Sequence, residues 1–530
     1  MSAGEDWRAA KAAVLDRLVN AVLWEGLVTA EWNGDRVRIG RFEWHVRQAT
    51  ATGRLTLVAA TEDPVAVWDV WAGLIPGDHA VVRGDLVESV RGYVLALEGA
   101  RRRRTGLTGT TVECARREAS PLVFFEQWVI DGHPLHPGSK IKLGLVAEEA
   151  RAYSPEWGAR VDVRLVVLPK ERVVTSGERL TDLIVAEHPQ VSVPEGHEVM
   201  PVHPWQAEHV LDERLLPVTI AARPLMNFRT LAPEPRPDLP FPSHLKTAVN
   251  IQFTGAVRGV SAHTAHNGPE VSRLLAEILR RENGFGRRLD IAAERAGSCD
   301  PALGGSLGAV VRANPEAGLA PGELAMPAAA LYAASPTSEG AILGELLDGP
   351  SAAIAFAADY ARVSVEPLLT LLTRYGVALE AHPQNVVLVM RDGMPVRLVV
   401  RDFGAIRINH ARLARHGLQA RVQPGSAISA ASPAELRAKL YFSFFTNHLG
   451  EVLACAARAT GVDQEQLWAP FVTEIRRVFA GLRDEPCARA DAAALLNRPL
   501  PLKTVLEMRL TGAVTHERFT AVPNPMARSV

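Results

Sequence analysis

A chain of 530 residues with 47% apolar and 22% charged side chains has the makeup of a folded protein and the length of about three domains, which excludes disorder as its dominant state. Lysine plus arginine is 58 against 59 acidic residues, a formal charge of −1, so no global basic surplus exists to neutralise a nucleic-acid backbone. The longest uncharged apolar-looking stretch, 324–338, contains two prolines and is too short for a membrane span, and MSAGEDWRAAK lacks the apolar core of a signal peptide, so the expectation is a cytoplasmic protein with no nucleic-acid and no membrane partner.

In chain order, apolar positions at helical spacing predict a helix over residues 5–24 (Ala10, Val14, Leu15, Leu18, Val19, Val22). From Arg36 the period becomes two, which predicts short strands to about Leu97. The run Arg101–Arg104 reads as a solvated loop or, less simply, a binding patch. Residues 161–168 read as a strand, and the proline-dense stretch 183–245 as an extended path with turns. Residues 243–258 read as one strand with Lys246, Ala248, Asn250, Gln252 and Thr254 on a polar face, with Arg258 close beyond it. Such a strand is either simply exposed or the floor of a groove for a phosphorylated or carboxylated ligand. A helix is predicted after Pro269, with Asn267 as its N-cap, then loops and short helices over 301–350, then mostly helices to the end. One hairpin interrupts them at 386–401, with its turn at Arg391-Asp392-Gly393. The fold class is α+β.

Two biases of usage point at a site. There are seven lysines against 51 arginines, and three of the seven, Lys140, Lys142 and Lys246, fall in motif-like segments. Five His-Pro dipeptides begin at His133, His136, His188, His203 and His382, where composition alone gives about one, and proline holds each histidine in an extended conformation. The four cysteines, Cys114, Cys299, Cys455 and Cys487, are too scattered for a zinc cluster or a disulfide scaffold.

Three local constellations carry chemistry. The hairpin brings Glu380-Ala381-His382-Pro383-Gln384-Asn385 to the same open end as Arg401-Asp402-Phe403-Gly404. Asn385 and Asp402 so juxtaposed are hard oxygen ligands for a Mg²⁺ that also holds a nucleotide phosphate, or else plain caps of the strand ends. Lys246 with Thr254 and Arg258 offers charge and donors to an anion. The segment His133–Lys142 gathers two histidines and two lysines around a Gly-Ser turn, which suits an anion site, a structural turn or, with a third ligand, zinc.

The order of these segments resembles the NRPS-independent siderophore synthetases of the aerobactin-synthetase type. The motifs are GHPLHPGSKIKLGL (132–145), PVHPWQ (201–206), KTAVNIQFTGAVRG (246–259), NGPEVS (267–272), EAHPQN (380–385) and RDFGAIR (401–407). The resemblance implies a cupped hand of thumb (1–150), fingers (151–345) and palm (346–530), with ATP between fingers and palm. It implies adenylation of a carboxylate, typically of citrate, followed by attack of an amine, hydroxylamine or alcohol, with ATP and Mg²⁺ as cofactors and a homodimer as the assembly. By resemblance Lys246, Arg258, His382 and His136 are catalytic. Arg229, Thr254, His133, His136, Lys140, Gln384, Asn385 and Asp402 join Lys246 on the nucleotide. Arg258, His382 and Arg407 hold the carboxylate, and Glu380, Asn385 and Asp402 ligate Mg²⁺. The chain departs from the family pattern at Asn227, Lys142 and Pro383 and in the proline-rich stretch 231–242. Competing readings of the same residues are a kinase-like phosphotransferase and a non-catalytic ATP-binding subunit.

Overall fold

The computed structural model describes residues 3–513 and 517–527. The first helix, Ala3–Trp24, packs on a four-stranded meander, Glu31–Asn33, Arg36–Ile39, Phe42–Gln48 and Leu55–Leu57. Beyond Leu57 the expected strands give way to helices, Pro64–Trp71 and His79–Arg104. In the longer of these Val82, Leu86, Val90, Tyr93, Ala96 and Ala100 are buried, a spacing of three and four that a period-two reading overlooks. Arg101–Arg104 are the last turn of that helix and not a solvated loop. Arg103 stacks 4.3 Å over the Trp128 ring and donates to the Gln127 carbonyl, while Arg104 donates to the Ser335 carbonyl.

The centre of the molecule is an eight-stranded sheet, antiparallel throughout. Its order is Val174–Gly177, Glu294–Cys299, Gly308–Arg312, His244–Thr247, Thr230–Pro233, Ile220–Pro224, Val161–Pro169, His197–Val202. The proline-dense stretch thus supplies strands, and the stretch 301–350, expected to be loops and short helices, supplies the strands Gly308–Arg312 and Leu324–Pro327 besides the short helices Ala328–Leu331 and Ile342–Leu346. Strand alternation splits the sheet into two faces. Leu231, Leu245, Ala296, Ala309 and Val311 enter one apolar cluster. The register His244↔Arg312 and Glu294↔Arg312 puts those three and Lys246 on the other face.

The predicted strand 243–258 divides at Ala248. His244–Thr247 stays in the large sheet, while Val249–Phe253 folds back on Ala256–Arg258 as a separate hairpin. The following helix runs Ala262–Arg281 and starts before Pro269, capped by Ser261 in place of Asn267. Asn267 instead clamps the segment 423–426, donating to Ser426 Oγ at 2.8 Å and accepting from the Gln423 amide at 2.9 Å. The helix lies close on the sheet because Gly297 has no Cβ: one built there would stand 1.9 Å from the Ala265 carbonyl oxygen.

The 386–401 hairpin forms as read, Val386–Arg391 against Met394–Val400. Its two-residue turn, Asp392-Gly393, has φ +50° and +77°, the left-handed pair that matches strand twist. It sits inside a four-stranded sheet with Leu289–Ile291 and Leu324–Pro327. Helices Gly349–Thr373, Gly450–Thr460 and Gln464–Gly481 pack around it into the largest core. Among the described residues no helix is long and apolar enough to cross a membrane.

Candidate active site

The open end of the hairpin meets the polar face of the eight-stranded sheet. Arg401 N donates to the Asn385 carbonyl at 2.9 Å, so the two strand ends are in register and Asp402 is one residue further on. Asp402 has φ +67°, a left-handed conformation that Asp tolerates better than most side chains. Its Oδ1 accepts from Lys246 Nζ at 2.7 Å, and its Oδ2 lies 3.6 Å from Arg312 Nη2. Behind this pair Glu294 accepts from Arg312 at 3.1 Å and stands 3.6 Å from Lys246. Lys246, Glu294 and Arg312 are each about 1% exposed. Burial alone would push the Asp402 carboxyl up, but Lys246, Arg312 and Arg229 overcome it and hold the group well below the usual carboxylate range.

Arg229 donates to the Arg258 and Gly259 carbonyls at 3.0 and 2.6 Å, which ties the large sheet to the small hairpin. Burial lowers its pKa to about 10, so it stays a cation. Phe228, just before it, and Thr254 share the left-handed conformation, at φ +64° and +54°. Thr254 Oγ1 accepts from Arg258 at 3.0 Å across the tight turn. These two residues, expected to lie close together, do meet, across the turn between the strands Val249–Phe253 and Ala256–Arg258. Of the five left-handed non-glycine residues among those described, Thr254 and Asp402 lie within the sequence motifs and Phe228 adjoins Arg229, a concentration typical of functional sites.

In the loop before the hairpin Glu380 accepts from Lys439 at 3.0 Å and stands 3.9 Å from His382 Nε2. Burial works to raise the Glu380 carboxyl, and the neighbouring cations, Lys439 foremost, bring it net below its usual value. Burial pushes His382 down despite Glu380 and Asp402, so its ring is neutral at pH 7. Asn385 Nδ2 donates to the Glu380 carbonyl at 3.2 Å, leaving the amide oxygen as its remaining acceptor. Gln384 gives its backbone carbonyl to Arg401 at 2.8 Å.

Three of the five His-Pro dipeptides share one local geometry. The Nδ1 of His133, His136 and His203 accepts the amide two residues on, from Leu135 at 3.2 Å, Gly138 at 2.9 Å and Trp205 at 3.2 Å. An accepting Nδ1 fixes the neutral tautomer with its proton on Nε2, so His133 and His136 can each donate Nε2–H to an anion. Burial, then Lys503, Arg509 and Arg258, push His136 down to about 3.

Two expectations are revised. Lys140 donates to Glu156 and is buried, and Lys142 reaches the other Glu156 oxygen at 2.9 Å. The anion gathered by this segment is therefore the protein's own carboxylate, held well below its usual range by the two lysines against burial. Arg407 is buried with its N–H groups committed to Glu435 at 2.6 Å, Glu517 at 3.0 Å and the Ala405 and Ile406 carbonyls. It supports the site through Glu517, which also accepts from Lys439 at 2.7 Å and Lys503 at 3.1 Å. Lys439 and Lys503 were missed in the sequence, although the rarity of lysine that drew attention to Lys246 applies equally to them. Glu294 and Arg312 carry no local signal; sheet order alone delivers them.

Asp402, Asn385 and Glu380 are hard oxygen donors that fit Mg²⁺. Among the described residues no group of three or more His, Cys, Asp or Glu side chains is placed to hold a metal ion.

A model of the IucA / IucC family matches residues 121–333, and one described as ferric iron reductase FhuF-like transporter matches residues 354–517. The protein y4xN of Sinorhizobium fredii is 30% identical over 454 residues, covering 76% of this chain and 71% of that protein. Staphyloferrin A synthase of Staphylococcus aureus is 26% identical over 442 residues, 77% of this chain and 73% of the synthase. The structure of ATP-bound aerobactin synthetase IucA from Klebsiella pneumoniae superposes with a TM-score of 0.75 at 19% identity, over 98% of this chain and 99% of that one, so the cupped-hand α+β fold is shared. The chain belongs to the NRPS-independent siderophore synthetase family, the IucA/IucC type, whose chemistry is ATP-driven activation and condensation of carboxylates.

Proposed function

We propose that this enzyme adenylates a carboxylate of citrate, or of a citrate or dicarboxylate derivative, and passes the acyl group to an amine, hydroxylamine or alcohol. The observation that supports this reading is the convergence of Lys246, Arg229, Arg258 and Asp402 where the sheet meets the hairpin. A carboxylate at neutral pH is a poor electrophile, and its attack on a phosphate brings two anions together. Closely set cations that cost no reorganisation answer that difficulty. The carboxylate oxygen attacks the α-phosphorus, the bond to the bridging oxygen breaks, and pyrophosphate leaves. The nucleophile then attacks the acyl carbon and AMP leaves. Lys246 and Arg229 offset phosphate charge, Arg258, held by Thr254, orients the carboxylate, and His133 and His136 donate Nε2–H to phosphate oxygens. Neutral His382 is free to take the nucleophile's proton. Mg²⁺ held by Asp402, Asn385 and Glu380 would neutralise charge on the phosphates.

The test is product analysis with ATP, Mg²⁺, hydroxylamine and a panel of carboxylic acids, citrate first. The expected products are a hydroxamate, AMP and pyrophosphate. ADP and phosphate would overturn the reading in favour of a kinase-like transfer.

A further inference from the structure

Between the α-helices Pro433–Leu440 and Gly450–Thr460 the chain runs through nine residues, Tyr441–Leu449, as a π-helix. Residues five apart diverge by about 140° around an α-helix but stack on one face of an i→i+5 helix. Ser443 and His448 are five apart, and both face the loop that carries Glu380. Ser443 Oγ is 3.4 Å from the Leu379 carbonyl and shares its proton with the Leu440 carbonyl at 3.3 Å. His448 Nδ1 is 2.9 Å from the Ala381 carbonyl. The two carbonyls that flank Glu380 are thus held from one π-helical face, while Lys439, just before it, holds the Glu380 carboxylate at 3.0 Å.

The protonation of His448 follows from its partners. A carbonyl only accepts, so Nδ1 carries the proton and Nε2 of the neutral ring is an acceptor. Tyr360, fully buried, supplies the matching hydroxyl. Burial pushes His448 down to about 4, consistent with a neutral ring. Another side of the same turn secures the neighbouring chain: Thr446 Oγ1 donates to the Pro501 carbonyl at 2.9 Å, two residues before Lys503.

We propose that the π-helical turn Tyr441–Leu449 is the positioning device of the Glu380–Asn385 loop, with His448, locked as its Nδ1–H tautomer by the Tyr360 hydroxyl, as the positioning residue. The irregular turn brings Ser443 and His448 into line, which a continuous α-helix cannot do, and so sets the loop that presents Glu380, His382 and Asn385. This role rests on the reading of those three as ligands of the reacting groups.

The test uses His448→Phe, which keeps ring volume and removes both hydrogen bonds, His448→Asn, whose amide can still donate to Ala381, and Tyr360→Phe, which deletes one oxygen. Hydrogen exchange is read at the Asn385 and Val386 amides, both bonded to the His382 carbonyl, with the hairpin 388–398 as internal control. The expected result is at least tenfold faster exchange at 385 and 386 in His448→Phe, an intermediate rise in Tyr360→Phe, recovery in His448→Asn, and no change in the hairpin. In parallel, kcat/KM for AMP formation falls at least tenfold in His448→Phe and stays within about threefold of wild type in His448→Asn. If His448→Phe does not fold, Tyr360→Phe carries the test. Wild-type exchange at both amides in the folded variants overturns the proposal. Altered exchange in variants of a protein whose wild type forms no AMP with any acid overturns the proposed function and leaves the positioning role standing.

Discussion

Asp402→Asn separates a metal ligand from a structural cap. At an effective dielectric of about 20, Lys246 at 2.7 Å and Arg312 at 3.6 Å give the carboxylate gross attractions of about 6 and 5 kcal/mol. Desolvation of a buried carboxylate removes several kcal/mol of this. Asn keeps the left-handed backbone and an oxygen for Lys246, and Glu294 remains to balance Lys246 and Arg312. The net loss of stability is therefore about 1–3 kcal/mol, below the ~3–5 kcal/mol typical of stranding a buried charge, and the protein stays folded. Removing one negative charge also leaves the phosphate region more cationic, so ATP binding without Mg²⁺ is retained or tightened. Adenylation, measured by ATP–pyrophosphate exchange at saturating substrate, should fall at least 100-fold, about 2.7 kcal/mol in the barrier, with partial recovery in excess Mg²⁺ or Mn²⁺. Wild-type melting together with near-wild-type exchange at limiting Mg²⁺ would refute the metal assignment to Asp402 and weaken that to Asn385.

Lys246→Ala should lower the adenylation half-reaction at least tenfold, as loss of a charge-assisted contact worth about 1.5–3 kcal/mol, and Lys246→Arg should not restore it because a planar fork cannot replace a point charge between Asp402 and Glu294; normal exchange by the alanine variant would make the lysine purely structural. Replacing Cys114, Cys299, Cys455 and Cys487 together should leave most turnover intact, since three are buried and burial pushes the Cys455 thiol up to about 11; a folded but inactive quadruple variant would point to a thioester step. Four histidines buried as neutral rings, His203 and His244 at about 3 and His188 and His448 at about 4, make the fold sensitive to acid. Their folded pKa values lie below the unfolded value near 6.5, so their contribution is complete above pH ~6.5 and is lost as pH falls toward 4 and then 3, at up to about 1.4 kcal/mol per histidine per pH unit. Urea midpoints from pH 8 to 5 should drop below pH 6.5, and a flat profile to pH 5 would show that these rings are not buried neutral.

The hairpin and its Asn385/Asp402 juxtaposition were legible because an Asp-Gly turn between two apolar runs has few alternatives. Lys246 was legible because strand alternation puts it on a polar face. The helix His79–Arg104 was not, since its buried positions include Asp85, Ser89 and Gly92, which blur the apolar stripe. The split at Ala248 was invisible because each half alternates as a strand should, and only sheet membership separates them. Glu294 and Arg312 lie far along the chain from Lys246 and Asp402, Glu156 lies 14 residues past Lys142, and no local pattern marks any of them. The π-helical turn has no spacing rule that a sequence betrays, and its function emerges only where Ser443 and His448 meet the same loop.

The strand order of the large sheet has a consequence for synthesis. Lys246 sits between strands whose residues are Thr230 and Val310, its ion partner is Asp402, and the lysines that face Glu380 and Glu517 are 439 and 503. A ribosome that has made the strand His244–Thr247 must add about 60 residues before its second neighbour exists and over 150 before Asp402 does, and such long-range pairings form slowly. Until Glu294 is made the Lys246 ammonium has neither of its carboxylates, until Asp402 is made it lacks the nearer one, and until Gly308–Arg312 is made the strand His244–Thr247 has an open edge. Any truncation before the last strands should therefore yield chains that are aggregation-prone and inactive, and ATP turnover becomes a report that the whole chain has been made and closed.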